Sequence, residues 1–220
     1  MNEVLSAKMQ AFAMLRGGEE AIRYTLFHAK DFAAGALLGP YAFFNVPVGA
    51  QDPDTGAAAS AEDTNMDAAS LLTAPNRFMV TKICVPIGPS TLTLIPVGST
   101  IAGGVESYKD DVARLVWRGL FTFRLLNKEY LRLAPLGLLG AGMGVWGAVS
   151  AATTTAATDI TNALVNNGSP SHNEGYRAIL PLETQTTFQA VIGFPKAALT
   201  TLAATRIAVH LHGVMYRPEQ

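Results

Sequence analysis

Strand-like alternation of apolar and polar residues dominates the chain after residue 76. Residues 205–216 follow the two-residue period of a strand whose two faces have different surroundings. Residues 184–192 and 77–87 are further strand candidates, and residues 120–133 predict a β-hairpin in which Asn127 takes a positive φ at the turn. With the weaker candidates, about eight strands can be placed in this region. The pattern therefore predicts a mainly β protein, folded as a single jelly-roll-like sandwich.

The first part of the chain has a helical rather than a strand-like period. Residues 2–16 place apolar side chains on one side of a helical wheel, and Gly17 and Gly18 end the pattern. Residues 19–33 continue with a weaker helical period, and residues 107–115 predict a short helix further along. The apolar stripe of the first segment consists of Val4, Leu5, Met9, Phe12 and Leu15. We expect a helical N-terminal arm that packs on its own domain or reaches a neighbouring subunit or a membrane surface.

Composition divides the chain into three parts. Residues 1–50 contain the helical arm and an apolar connection, and residues 77–220 contain the β-sandwich. Residues 51–76 lie between them and contain acidic side chains but no basic one, which is typical of an exposed loop or insertion. The acidic residues of this insertion are Asp52, Asp54, Glu62, Asp63 and Asp67.

Charged residues are scarce and unevenly distributed. They make up 15% of the chain, with a formal net charge of −1, where about 25% charged residues is usual. This balance excludes a protein held to nucleic acid by a broad basic surface. Uncharged windows at residues 32–51, 83–105 and 133–158 are long enough to span a bilayer, but prolines and glycines interrupt them. We predict buried or interface strands and loops there, and a membrane-associated protein that uses residues 133–158 is the alternative.

Basic side chains concentrate around the predicted hairpin. Strand alternation places them on different faces, and nearby acidic residues reduce their combined field, so salt bridges between subunits explain them at least as well as contact with nucleic acid. The basic residues of this cluster are Arg114, Arg118, Arg124, Lys128 and Arg132.

Two histidines provide the main candidate chemistry. His210 and His212 lie two residues apart on the predicted final strand, so both side chains point to the same face. The pair resembles the His-x-His element of cupins and would supply two imidazoles to a metal, with His28 or His172 as a third ligand. The downstream Glu of that family is missing, so a small cupin-like metal-binding enzyme is an alternative. We interpret the pair as a subunit contact whose protonation would make an interface sensitive to pH.

Other motifs carry less chemistry. Gly142, Gly144 and Gly147 have the spacing of a dinucleotide-binding turn, but no strand–turn–helix unit surrounds them. The single cysteine, Cys84, lies in an apolar run and is expected to be a buried structural residue. We therefore predict no catalytic residue, no cofactor and no metal, and we do not expect an enzyme.

Residues 77–83, 127–136 and 207–216, together with the arm and the acidic insertion, resemble the capsid proteins of tailless icosahedral viruses, including membrane-containing bacteriophages. The resemblance implies one jelly roll per chain, with loops and arms that make shell contacts. Its implied partners are other copies of the chain and other capsid proteins, with an internal membrane as a further contact. It implies neither specific nucleic-acid recognition nor a small-molecule substrate. We expect a structural virion protein, made in the host cytoplasm and located in the capsid, with these candidate subunit-contact residues: Met9, Phe12, Leu15, His210 and His212.

Overall fold

A computed structural model describes residues 18–90, 104–140, 148–151, 160–163, 175–196 and 199–219. Within this part of the chain, strands predominate, with one α-helix and one 3-10 helix. The elements in chain order are β1 (Glu19–Phe32), β2 (Leu37–Leu38), β3 (Tyr41–Phe43), β4 (Arg77–Cys84), β5 (Ile87–Pro89), α1 (Gly104–Arg118), β6 (Leu120–Leu125), β7 (Lys128–Pro135), the 3-10 helix (Leu136–Leu139), β8 (Ala148–Ala151), β9 (Ile160–Ala163), β10 (Tyr176–Leu182), β11 (Phe188–Gly193), β12 (Leu199–Thr200) and β13 (Thr205–Pro218).

The main strands form two antiparallel sheets. Sheet one has the order β1-β13-β4-β10, and β5 pairs with β13 beyond the end of β4. Sheet two has the order β3-β11-β6-β7. Two short ladders join β2 to β12 and β8 to β9. The described chain is thus mainly β with sandwich-like sheets, which confirms the predicted fold class at that level.

The core lies between the two sheets. Phe78 and Val209 from sheet one, and Phe121 and Phe188 from sheet two, are at most 1% exposed. Side chains of this size dominate the free energy of burial, at roughly 1.5–3 kcal/mol each. The strand period predicted for residues 205–216 is confirmed by β13, whose apolar side chains face this core.

The centre of sheet one depends on a close backbone approach at Gly213. The register between β13 and β4 shifts after His212. A Cβ atom at position 213 would lie 2.0 Å from the carbonyl oxygen of Met79. Only glycine allows this approach, so the bulge is specified by one residue.

Two local predictions are confirmed and one detail is wrong. The helix expected at residues 107–115 lies within α1, and the expected hairpin is formed by β6 and β7. The positive φ at the hairpin turn belongs to Leu126, at +53°, and not to Asn127. The sequence preference of Asn for this conformation is therefore overruled by the pairing of the flanking strands.

The helical prediction for residues 19–33 is wrong. These residues form β1, which pairs with β13 from Glu19 opposite Pro218 to Phe32 opposite Thr205. The i, i+4, i+7 spacing of apolar residues occurs here by coincidence. Fourteen residues of ladder with β13 stabilise the strand more than a weak helical stripe could stabilise a helix.

Candidate functional site

His210 and His212 lie side by side on the outer face of sheet one, the face turned away from the core. Their ring centroids are 5.9 Å apart. His210 packs edge-on against Phe27 at 6.1 Å between centroids, and His212 Nδ1 forms a 2.9 Å hydrogen bond with Thr25 Oγ1. Both rings are half-buried. The two histidines therefore share one face as predicted, and each has contacts within its own chain.

Their surroundings favour the neutral form of both histidines. Burial, together with the smaller effects of nearby His212 and Arg206, lowers the pKa of His210 to about 4. Burial, followed by the charge of Lys82, also lowers the pKa of His212. A charged imidazole loses hydration in such a position. The titration of His210 thus falls below the range from about pH 5 to pH 8 in which an unperturbed histidine senses pH.

The described residues do not complete a metal site around this pair. Cross-strand partners point to the same face, and His28 pairs with Val209, so His28 faces the core while His210 faces outward. His172 lies outside the described residues. In the described part of the chain, no group of three His, Cys, Asp or Glu side chains is placed to hold a metal ion. The cupin-like alternative therefore gains no third ligand here.

A buried ion cluster closes one side of the sandwich, where β1 and β3 are the outermost strands. Lys30 Nζ lies 2.6 and 2.8 Å from the two carboxylate oxygens of Asp52, and 2.7 Å from Asp54 Oδ2. The Lys30 side chain is 0% exposed and the Asp52 side chain 5%. Because an unpaired buried charge is strongly destabilising, the insertion supplies the carboxylates that Lys30 needs. The expectation of an exposed loop is therefore wrong at Asp52.

His28 belongs to the same cluster. Its Nδ1 accepts a 2.6 Å hydrogen bond from the Phe44 N–H, and its Nε2 lies 3.9 Å from Asp52 Oδ2. Burial, followed by the charge of Lys30, lowers the pKa of His28 to about 4 despite the opposing effect of nearby carboxylates. The ring is therefore neutral near pH 7 and acts as a hydrogen-bond acceptor for the backbone.

The insertion also covers the backbone border of β1. The Ala29 N–H donates a 2.6 Å hydrogen bond to the Asp63 carbonyl. Arg206 on β13 holds the same loop through a 3.0 Å ion pair with Asp63 and a 2.7 Å hydrogen bond to the Glu62 carbonyl. We call this side, made of β1, β3 and residues 44–76, the closed edge. In the insertion, the exposed acidic residues outside the ion cluster are Glu62 and Asp67, while the Asp54 side chain is 25% exposed and paired with Lys30.

The opposite side of the sandwich ends in β7 and β10. Among the described residues, β7 pairs only with β6, and β10 only with β4. In β7, Leu131 is buried and Ala134 is half-buried, while the other side chains are exposed. We call β7, β10 and the turn between β6 and β7 the open edge. Its large exposed apolar side chains are Leu126 (62%), Tyr130 (47%), Leu133 (54%), Tyr176 (39%) and Ile179 (50%).

Two leucines of the open edge have costly backbone conformations. The φ angles of Leu126 and Leu133 are +53° and +52°. This left-handed region costs a residue with a Cβ about 1 kcal/mol or more. Both side chains are more than half exposed, so burial within the subunit does not offset the cost. Contact with another molecule would account for exposed leucines at these positions.

Four members of the basic cluster, Arg118, Arg124, Lys128 and Arg132, lie on or beside the hairpin of the open edge, whereas Arg114 contacts Asp111 and the Thr200 carbonyl of β12. Glu129 forms ion pairs with Arg124 at 3.0 Å and with Arg132 at 3.2 Å. Arg118 and Lys128 are exposed, and the Arg132 side chain is 76% exposed. The single carboxylate of this group leaves the surface with an excess of positive charge.

Several predicted features lie outside the described residues. These are the arm residues Met9, Phe12 and Leu15, and the glycine turn at residues 142–147. Cys84 is buried as predicted, and burial raises the pKa of its thiol. In the part of the chain that the structure describes, no helix combines the length and apolar character needed to span a membrane.

Sequence reasoning did not find the Lys30 cluster. Residues 19–33 were predicted to be helical, and that prediction does not bring Lys30 near Asp52. The two side chains meet because the insertion folds over the strand β1. The available signal was the alternation of Leu26, His28, Lys30 and Phe32, which places polar side chains on the core face of a strand.

Comparison of the chain with protein-family models, curated proteins and solved structures found no match.

Proposed function

We propose that this chain is a jelly-roll subunit of an icosahedral virus capsid, located in the virion and built for self-assembly instead of catalysis. Its proposed partners are other copies of itself and other capsid proteins. An internal membrane is a further proposed partner, contacted through residues 133–158, because this window contains no charged residue.

The pairing order of the main strands carries this proposal. In chain order these strands are β1, β3, β4, β6, β7, β10, β11 and β13. The first pairs with the last (β1 with β13), the second with the seventh (β3 with β11), the third with the sixth (β4 with β10) and the fourth with the fifth (β6 with β7). A long hairpin that rolls into two facing sheets has this pairing order, with the first strand next to the last. The order therefore supports a jelly roll.

The distribution of exposed side chains also supports self-assembly. The open edge presents strand borders and large apolar side chains together, a combination that isolated soluble domains avoid. Subunits of a shell bury such surfaces against each other, and this burial offsets the cost of ordering them.

The test is assembly of the purified full-length chain. Light scattering and negative-stain microscopy, over a range of protein and salt concentrations, are expected to show closed particles or rings. A species that stays strictly monomeric under all these conditions would overturn the proposal.

A further inference from the structure

The two sides of the sandwich carry opposite charge. The exposed ionisable groups of the insertion outside the Lys30 cluster are both acidic, namely Glu62 and Asp67. The hairpin β6–β7 and the adjoining end of α1 expose Arg118, Arg124, Lys128 and Arg132, with Glu129 as the one carboxylate among the described residues 118–135. The two groups of charges lie towards different borders: Glu62 is held beside Arg206 of β13 in sheet one, whereas Lys128 and Arg132 are on β7 at the far end of sheet two from β3. The Ser70 end of the insertion does reach the hairpin turn of its own chain.

We propose that the basic hairpin β6–β7 of one copy docks on the acidic insertion of the next copy, in a head-to-tail contact that repeats around a ring or shell. This inference rests on the proposed function and names the contact through which it works. A hairpin-to-hairpin contact would bring two positive surfaces together, whereas a hairpin-to-insertion contact joins opposite charges. A contact between two different surfaces also propagates from copy to copy, as a closed ring requires.

Apolar contact accompanies the charge attraction. Leu126, Tyr130 and Leu133 are exposed on the hairpin, and Val48 is 47% exposed on the closed edge. An open hollow of about 730 Å³ lies between the hairpin turn and the insertion of the same chain, lined in part by Leu126, Glu129 and Ser70. Burial of the leucines at the contact would offset the cost of their positive φ angles.

The test uses two charge-reversal variants of the full-length chain. The first, Lys128→Glu with Arg132→Glu, makes the hairpin acidic. The second, Glu62→Lys with Asp67→Lys, makes the insertion basic. Each variant alone is expected to associate at least about tenfold more weakly than the wild type, because each then presents like charges across the contact. An equimolar mixture of the two is expected to assemble again, since each hairpin then meets an insertion of opposite charge.

The matched control is Lys196→Glu, compared with Lys128→Glu alone: it makes the same change in net charge at an exposed residue outside the hairpin and the closed edge. It is expected to associate as the wild type does, and circular dichroism is expected to show that all variants are folded. If the insertion variant assembles normally, or if the mixture does not assemble, the head-to-tail contact is wrong. The proposed function is still supported in that case, provided that the wild-type chain forms shells. A wild-type chain that never assembles overturns both.

Discussion

On the closed edge, an insertion covers the border strand β1 with backbone hydrogen bonds and a buried ion cluster around Lys30. On the open edge, β7 has exposed side chains along most of its length, and two leucines have a positive φ, Leu126 in the turn and Leu133 in β7. Both are borders of the same sandwich, yet only one is covered within the described chain. Proteins usually protect a free strand border, so the open edge is the side on which the proposed intermolecular contact would be made.

The comparison also separates two uses of charge. At the closed edge, Lys30 and Asp52 are buried and serve the fold, whereas the exposed carboxylates nearby are free to meet solvent or a partner. At the open edge, the ionisable groups are exposed and contribute little to subunit stability. Changes at the closed edge should therefore affect folding, and changes at the open edge should affect association.

The largest expected effect is at the buried ion pair. Lys30→Met keeps the alkyl chain but leaves Asp52 buried without its cation, so we expect the free energy of unfolding to fall by about 3–5 kcal/mol. Chemical denaturation of the purified protein measures this change. The matched control is Lys128→Met on the open edge, which is expected to alter stability by less than about 0.5 kcal/mol. Equal effects of the two substitutions would contradict the comparison.

Stability should also depend on pH through His28. Its pKa is lowered from 6.5 to about 4, so below pH 6.5 the unfolded chain takes up a proton that the folded chain does not. Neutral His28 therefore contributes about 3 kcal/mol to the free energy of unfolding above pH 6.5. This contribution is lost as the pH falls towards 4. His210, which is half-buried, acts in the same direction.

Denaturation curves at several pH values measure how steeply the free energy of unfolding changes with pH. His28→Asn keeps an acceptor for the Phe44 N–H and is expected to flatten the dependence between about pH 6.5 and pH 4. A variant with the same slope as the wild type would show that His28 is not responsible.

A smaller effect is expected at the hairpin turn. Leu126→Gly removes a Cβ from a residue at φ +53° and should raise the free energy of unfolding by about 0.5–1 kcal/mol. The control is Gln185→Gly, at φ +61° in an exposed turn. It is expected to raise the free energy of unfolding by a similar amount. Light scattering should show weaker assembly for Leu126→Gly alone. If both variants assemble like the wild type, Leu126 is not a contact residue.

The smallest effect concerns the outer face, which belongs to neither edge. Because the pKa of His210 is about 4, its ring is expected to stay neutral from about pH 8 to pH 5, and the lowered pKa of His212 also favours the neutral form. Assembly of the wild type at constant ionic strength should differ by less than about twofold across this range. A larger change that disappears in His210→Gln would restore the interpretation of the pair as a pH-sensitive contact.

Local patterns were sufficient for part of the fold. The alternation in β13, the β6–β7 hairpin and the period of α1 are properties of neighbouring residues, and each was predicted from the sequence. The strand β1 was not, because its stability comes from β13, at the other end of the chain, and from the insertion. His28 and Lys30 break the apolar pattern of its core face, and only the distant carboxylate of Asp52 explains why Lys30 is tolerated there.

The proposed contact surfaces were predictable to a similar extent. The basic cluster and the acidic insertion are visible as runs of charge, but the location of β7 at the far end of sheet two from β3 follows from the order of strands. The positive φ angles of Leu126 and Leu133 could not be predicted, because leucine does not favour this backbone conformation. The histidine pair was correctly placed on one face, while the lowered pKa values depend on burial by neighbours from β1 and β4.

The position of β13 in sheet one has a consequence for folding. It lies between β1 and β4, so these two early strands have no direct contact in the sheet and both depend on a partner from residues 205–218. Contacts of such long sequence separation form slowly, and a ribosome delivers this partner after the other strands have been made. Sheet one therefore closes late in synthesis. Until it closes, β1 cannot present the insertion in its folded place, which would keep nascent subunits from associating before they are complete.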